Sequence, residues 1–129
     1  MSDPTAELLA LTQRLLDAIA HGDWATYEEL CDPGLTAFEP ESCGQLVEGL
    51  AFHRFYFDLA DRTARRQTTL ASSRVWLLGD AAVVAYVRLN QRAGADGVPH
   101  ESAFAETRVW QRRDGRWRHV HFHRSPVAG

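Results

Sequence analysis

An α+β fold is what this sequence predicts, with helices gathered in its first half and antiparallel strands in its second. Three observations lead there. Apolar residues recur at steps of three and four over residues 5–20, and an aromatic-rich run of helical character fills 46–60. From residue 67 onward the pattern changes to four strand-like runs, 67–78, 81–92, 99–113 and 116–125. Two of the junctions, Gly79-Asp80 and Asp114-Gly115, are two-residue turns of the kind that close tight hairpins. Helices followed by consecutive strands pack as a helical layer against an antiparallel sheet, so the sheet is expected to curve around the helices.

Each element has its own signal. In the first helix Leu8, Leu11, Leu15 and Ile19 form the inward stripe, Asp3-Pro4 starts it and His21-Gly22 ends it. Asp23 then caps a short second helix with Trp24, Tyr27 and Leu30 inward; Thr26 stands where a capping box wants glutamate, so that box is partial. Asp32-Pro33-Gly34 reads as a turn, residues 35–39 as a short strand and 40–45 as a loop. The third helix, 46–60, carries Phe52, Phe55, Tyr56, Phe57 and Leu59, and the aromatic run Phe52, Phe55, Tyr56 and Phe57 reads as plain core. Residues 61–66 are charged and read as a loop, and Gly94 to Pro99 marks a looser hairpin connection.

Composition bounds the function. A chain of 129 residues with 45% hydrophobic and 24% charged residues is one globular domain, 1–129. No apolar run is long enough to span a bilayer. The acidic start lacks the basic flank of a secretory signal. Cys31 and Cys43 follow no metal or disulfide spacing, which fits reduced thiols in a cytoplasmic protein. All 14 basic residues are arginine, the net charge is -3, and no basic block is free of acids. Nucleic-acid binding is therefore not expected, because it needs a positive face.

Alternation along the strands singles out a site. Arg108 shares a parity with Phe104, Glu106 and Trp110, and Arg124 shares one with Val120 and Phe122. Arg88 falls in with Val84 and Tyr86. Three neighbouring strands thus aim guanidiniums at the face expected to be covered by helices. Buried arginine is costly unless paired. Glu106 can neutralise one, and Glu39 or Glu41 another. Three paired arginines would make a structural network; one without a carboxylate would recruit a small anion by bidentate hydrogen bonds. The second face of these strands is also apolar, with Val83, Ala85 and Val87 on it. No helix remains to cover it, so another subunit is expected there.

The segments that carry the next inference are residues 31–41, 46–50 (Leu-Val-Glu-Gly-Leu) and 52–57 (Phe-His-Arg-Phe-Tyr-Phe). With them go 106–110 (Glu-Thr-Arg-Val-Trp), 112–117 and 120–125 (Val-His-Phe-His-Arg-Ser). In this order, over residues 6 to 125, the chain resembles the association, or hub, domain of calcium/calmodulin-dependent protein kinase II. The resemblance implies the nuclear-transport-factor-2-like cone, helices held in a curved antiparallel sheet, and assembly into a homodimer or higher ring. No kinase domain or calmodulin-binding segment is among these residues, so a stand-alone hub is expected and calmodulin binding attaches to the family name only. The tryptophan of animal hubs near the end of the third helix is replaced here by Ala60-Asp61-Arg62, and its role is not carried over.

The resemblance also implies pocket residues: His53 in Phe52-His-Arg, Arg88 in Tyr86-Val-Arg, Arg108 in Thr107-Arg-Val and Arg124 in Phe122-His-Arg. The expected ligand is a small carboxylate or other anion, bound by Arg88, Arg108 and Arg124 and oriented by His53 and Tyr56, with Glu106 holding one arginine. The alternative is a small isomerase, dehydratase or cyclase of the same cone acting on a carboxylate. Glu106 is its one clear general base, and a neighbouring arginine would lower the pKa of that carboxyl rather than raise it. No catalytic residue, cofactor or metal is assigned. His119, His121 and His123 alternate, and such a pair can share zinc, but no completing ligand stands out. They read instead, with Trp117, as part of a subunit interface that acid would loosen.

Overall fold

A computed structural model describes residues 3–60 and 62–127. Helix α1 (Thr5–His21) starts where the Asp3 carboxylate accepts from the Thr5 N–H at 2.8 Å, and it ends at Gly22, whose φ of 71° favours glycine. Its buried stripe is Leu8, Thr12, Leu15, Leu16 and Ala18. Leu11 and Ile19 lie at its margin, packed against the core without being fully covered. Helix α2 (Trp24–Leu30) is capped by Asp23, which accepts from the backbone and hydroxyl of Thr26 at 3.1 and 2.6 Å. The reciprocal bond of a capping box is not made: the Asp23 N–H donates to the Ala18 carbonyl, and the Thr26 hydroxyl donates to the Asp23 carboxylate.

One six-stranded sheet, in the order β2-β1-β6-β5-β4-β3, wraps the helices. Strands β3 (Arg66–Leu78), β4 (Ala81–Ala93), β5 (Pro99–Arg113) and β6 (Arg116–Pro126) form an antiparallel meander. Strand β1 (Cys31–Phe38) lies parallel to β6, and β2 (Val47–Glu48) adds an edge. Asp114 and Gly115 both have positive φ, 52° and 76°, as the tight β5–β6 hairpin requires. Leu8, Leu15, Leu16, Tyr27, Trp110 and Leu35 fill the space between helices and sheet, each at most 1% exposed. Among the described residues no helix is long and apolar enough to cross a membrane.

Bulges bend the sheet. On β3 the register slips between Ala71 and Arg74, where Ser72 takes a φ of 51°. On β6 it slips at Val120, because Val109 pairs with His121 while Trp110 pairs with His119. An extra residue on one strand increases local twist and reverses the side-chain parity beyond it.

Three expectations are corrected. Asp32-Pro33-Gly34 is not a separate turn but the irregular stretch of β1 between its pairings at Cys31 and Thr36; a bulge tolerates proline, which has no N–H to give the ladder. Residues 46–50 are not helical: Val47–Glu48 pairs with β1, Gly49 turns with a φ of 80°, and helix α3 runs over Ala51–Leu59. Its aromatics are not plain core either. Phe52 and Phe57 pack against the core, but Phe55, Tyr56 and Leu59 are exposed. Residues 62–65 form no helix or strand, and Asp61 lies outside the described residues.

Candidate functional site

The concave face of the sheet carries a cavity of about 710 Å³, whose lining includes His53, Tyr56, Arg88, Arg108 and Arg124. Alternation puts Tyr86 and Arg88 of β4 on that face, and the β4–β5 and β5–β6 registers set Arg88 opposite Phe104, Tyr86 opposite Glu106 and Glu106 opposite Arg124. One carboxylate organises the floor. Glu106 Oε1 accepts from the Tyr86 hydroxyl at 2.6 Å and from Arg108 Nη2 at 3.0 Å, while Oε2 accepts from Arg88 Nη1 at 3.5 Å. Arg108 Nε donates to the same Tyr86 oxygen at 2.6 Å.

This arrangement fixes protonation. Burial pushes the Glu106 carboxyl up, but the charges of Arg108 and Arg88 and the Tyr86 hydroxyl outweigh it and hold it below the usual range. Burial likewise drives the Tyr86 phenol well above its ordinary value. Arg88 is pulled down by burial, with Glu106 opposing. Arg108, 1% exposed, is also stacked 4.3 Å over the ring of Phe122.

The other two acids are used nearer the mouth. Glu39 Oε2 lies 3.0 Å from His53 Nε2. Burial raises the Glu39 carboxyl, and the hydrogen bond and charge of His53, with Arg124 behind them, bring it below its ordinary value. His53 Nδ1 is buried without a hydrogen-bond partner. Arg124 pairs with Glu41 and lies 4.5 Å over the Phe104 ring. Tyr56 stands at the rim, 38% exposed. Every one of the three arginines therefore touches a carboxylate, yet Arg88 and Arg108 touch the same one. The inner pair keeps one positive charge in excess.

The histidines of β6 divide. His119 is fully buried, its ring 5.3 Å from that of Trp110, and Trp117 is buried as well. Their reading as interface residues is corrected: the extra residue at Val120 turns His119 toward the core, while His121 and His123 stay on the convex face beside Phe38. Arg108 Nη1 lies 3.3 Å from His119 Nε2 and can only donate, so His119 carries its proton on Nδ1, 3.4 Å from the Cys31 sulfur. Burial and then Arg108 depress the His119 pKa far below the ordinary value. Burial pushes the Cys31 thiol up to about 12. Tyr86, the residue that joins Arg108 to Glu106, was missed as a site residue; its signal was the Tyr-x-Arg alternation on β4.

These features, a curved sheet closed by helices around a polar concave cavity, define a nuclear-transport-factor-2-like cone. A solved protein of that class from Cytophaga hutchinsonii is 18% identical with a TM-score of 0.77 over 98% of this chain and all of that one, a likeness of fold alone. Family relationships are more specific. The pattern described as calcium/calmodulin dependent protein kinase II association domain matches residues 4–128, and the chain belongs to that family. It is 50% identical over 122 residues to the rabbit (Oryctolagus cuniculus) calcium/calmodulin-dependent protein kinase type II subunit delta, covering 92% of this chain. The match spans 23% of that kinase's length. The hub homology domain of Chlamydomonas reinhardtii is 46% identical with a TM-score of 0.91, covering 98% of this chain and all of that one. The association domain of the Caenorhabditis elegans kinase is 47% identical with a TM-score of 0.88 over 93% of each.

Proposed function

We propose that this domain self-associates and holds a small carboxylate in its arginine-lined cavity. The observation that carries the ligand reading is the shared carboxylate: two buried guanidiniums stand on the single charge of Glu106. An uncompensated buried charge costs several kcal/mol, and an anion between Arg88 and Arg124 would compensate it. The unpartnered His53 Nδ1 supports the same reading, since buried polar atoms are normally hydrogen-bonded. Arg108 acts from beneath, holding Glu106 and Tyr86 in place, and Tyr56 orients the ligand from the rim.

Self-association is supported by the family's name and by the convex face, where Trp76 is 41% and Leu78 61% exposed. A monomer gains nothing from leaving such side chains in water. Catalysis by the same cone, as an isomerase, dehydratase or cyclase, is the weaker reading. Its one candidate base, Glu106, already accepts from Tyr86, Arg88 and Arg108 and is held at low pKa, which makes it a poor acceptor for a substrate proton.

Calorimetric titration with butyrate tests the ligand reading. Saturable binding that is lost in Arg88→Ala and weakened in Arg124→Ala is expected. Absence of binding to the wild-type domain at millimolar butyrate would overturn it. Native mass spectrometry tests assembly, with a monomer as the contrary result.

A further inference from the structure

We propose that Glu41 is a built-in competitor of the ligand: its carboxylate occupies Arg124, and an incoming carboxylate displaces it to take that guanidinium. This rests on the reading of the cavity as a carboxylate site and adds the residue that sets its affinity.

The acids that hold the cavity's cations differ in how firmly they are held themselves. Glu106 has a fully buried side chain that accepts from Tyr86, Arg88 and Arg108. Glu39, its side chain 4% exposed, bonds to the buried ring of His53. Glu41 has a side chain 33% exposed, and among the described residues the cation its carboxylate meets is Arg124. That contact uses a single guanidinium nitrogen, Nη2, so most of the donors of Arg124 are left over. The ring of Phe104, 4.5 Å from the guanidinium carbon, supports one face of the group.

The backbone beneath Glu41 does not need its side chain. Pro40–Ser42 is a short helical turn whose bonds are its own. The Ser42 N–H donates to the Glu39 carbonyl at 3.0 Å, the Cys43 N–H to the Pro40 carbonyl at 3.2 Å, and the Glu39 N–H to Ser42 Oγ at 3.3 Å. Glu41 can therefore swing into water without unfolding the mouth, and a partly exposed ion pair resists that exchange weakly. Arg124, in turn, has a second place to act. The β5–β6 register sets it opposite Glu106, the residue that Arg88 reaches from β4, and its charge is felt at Arg88. While Glu41 stays, the charge of Arg124 is answered from within the chain. Once Glu41 leaves, Arg88 and Arg124 offer two guanidiniums to one ligand carboxylate, whose charge-assisted bonds are the stronger for being shielded from water.

The test is butyrate titration of wild type, Glu41→Gln, Glu101→Gln, Arg124→Ala and the double variant Glu41→Gln/Arg124→Ala. Glu41→Gln should bind about fivefold more tightly than wild type, the upper end of what a partly exposed ion pair is worth. Glu101 also lines the cavity and makes no ion pair among the described residues. Glu101→Gln removes the same charge from the rim and should change affinity by less than about twofold. In the Arg124→Ala background Glu41→Gln should bring no gain, because the contested guanidinium is gone. Affinity unchanged or weaker in Glu41→Gln, an equal gain in Glu101→Gln, or a gain that survives without Arg124 would overturn the competition while leaving the carboxylate pocket standing. The Glu101 comparison decides alone if Arg124→Ala binds too weakly to measure. Binding by neither wild type nor Glu41→Gln would remove the pocket, and the competition with it. A thermal midpoint of Glu41→Gln within about 5 °C of wild type shows that the variant folds; Glu41→Ala, for which the same gain is expected, takes its place otherwise.

Discussion

Val83, Ala85 and Val87 of β4 face away from the helices, while Tyr86, Arg88, Asn90 and Arg92 of the same strand face toward them. The concave side of this sheet is the more polar at one end, and its charges are bonded into a network that reaches the core. The convex side is apolar, leaves Trp76 and Leu78 in water, and carries His121 and His123 beside Phe38. A monomer built for burial alone would be arranged the other way round. The inversion is what the proposed function accounts for, with a ligand completing the concave face and a second copy of the chain the convex one.

The contrast breaks most severely at Glu106. In Glu106→Gln two guanidiniums lose their one shared carboxylate, and urea unfolding should show a loss of about 3–5 kcal/mol. A loss below about 1 kcal/mol would mean that water already screens the network. Acid attacks the same face through His119. The folded His119 pKa lies far below the ordinary 6.5, so the unfolded chain binds more protons there. Its contribution is complete above pH 6.5 and is lost as pH falls from 6.5 toward the lowered folded value, by at most about 1.4 kcal/mol per pH unit. His121, depressed by burial and by His123, adds a smaller part. Stability measured from pH 7 to pH 5 should therefore decline, and His119→Asn should flatten most of the slope.

Smaller effects sharpen the comparison. Arg124→Ala removes a partly exposed ion pair, so it should cost under about 1 kcal/mol. Butyrate affinity should nonetheless fall about tenfold, as loss of a charged hydrogen-bond partner implies. Trp76→Glu should shift monomer unfolding by no more than about 0.5 kcal/mol, since the site is at the surface. Native mass should fall all the same; an unchanged mass would take the convex face out of the assembly. Butyrate affinity in Trp76→Glu should match wild type.

Much of this was legible because period and turn chemistry are local. The four long strands fall within a residue of where alternation and the Gly79-Asp80 and Asp114-Gly115 turns put them. Arg88, Arg108 and Arg124 were placed on one face for the same reason. What alternation could not show is a change of phase. Val120 inserts one residue, so His119 and Arg124, which differ in parity along the chain, share a face in the fold. Nor could it show that residues 46–50 pair with β1 instead of extending α3, because that choice depends on a partner strand. Gly49 in Leu46-Val-Glu-Gly-Leu50 was the available hint. The sharing of Glu106 by two arginines is a matter of distances across two strands, β4 and β5, which no single segment encodes.

The two cysteines lie in opposite settings: Cys31 is buried with its thiol pKa near 12, and Cys43 is exposed. The reactive form of a thiol is the thiolate, and it must meet reagent. Cys43 should thus be labelled at once and report only how much protein is present. Cys31 should be labelled only when the core around Tyr27 and His119 opens, at a rate set by that opening. The molecule holds its own clock and its own reference, and a single alkylation time course could follow how ligand or acid changes the rate at which its interior breathes.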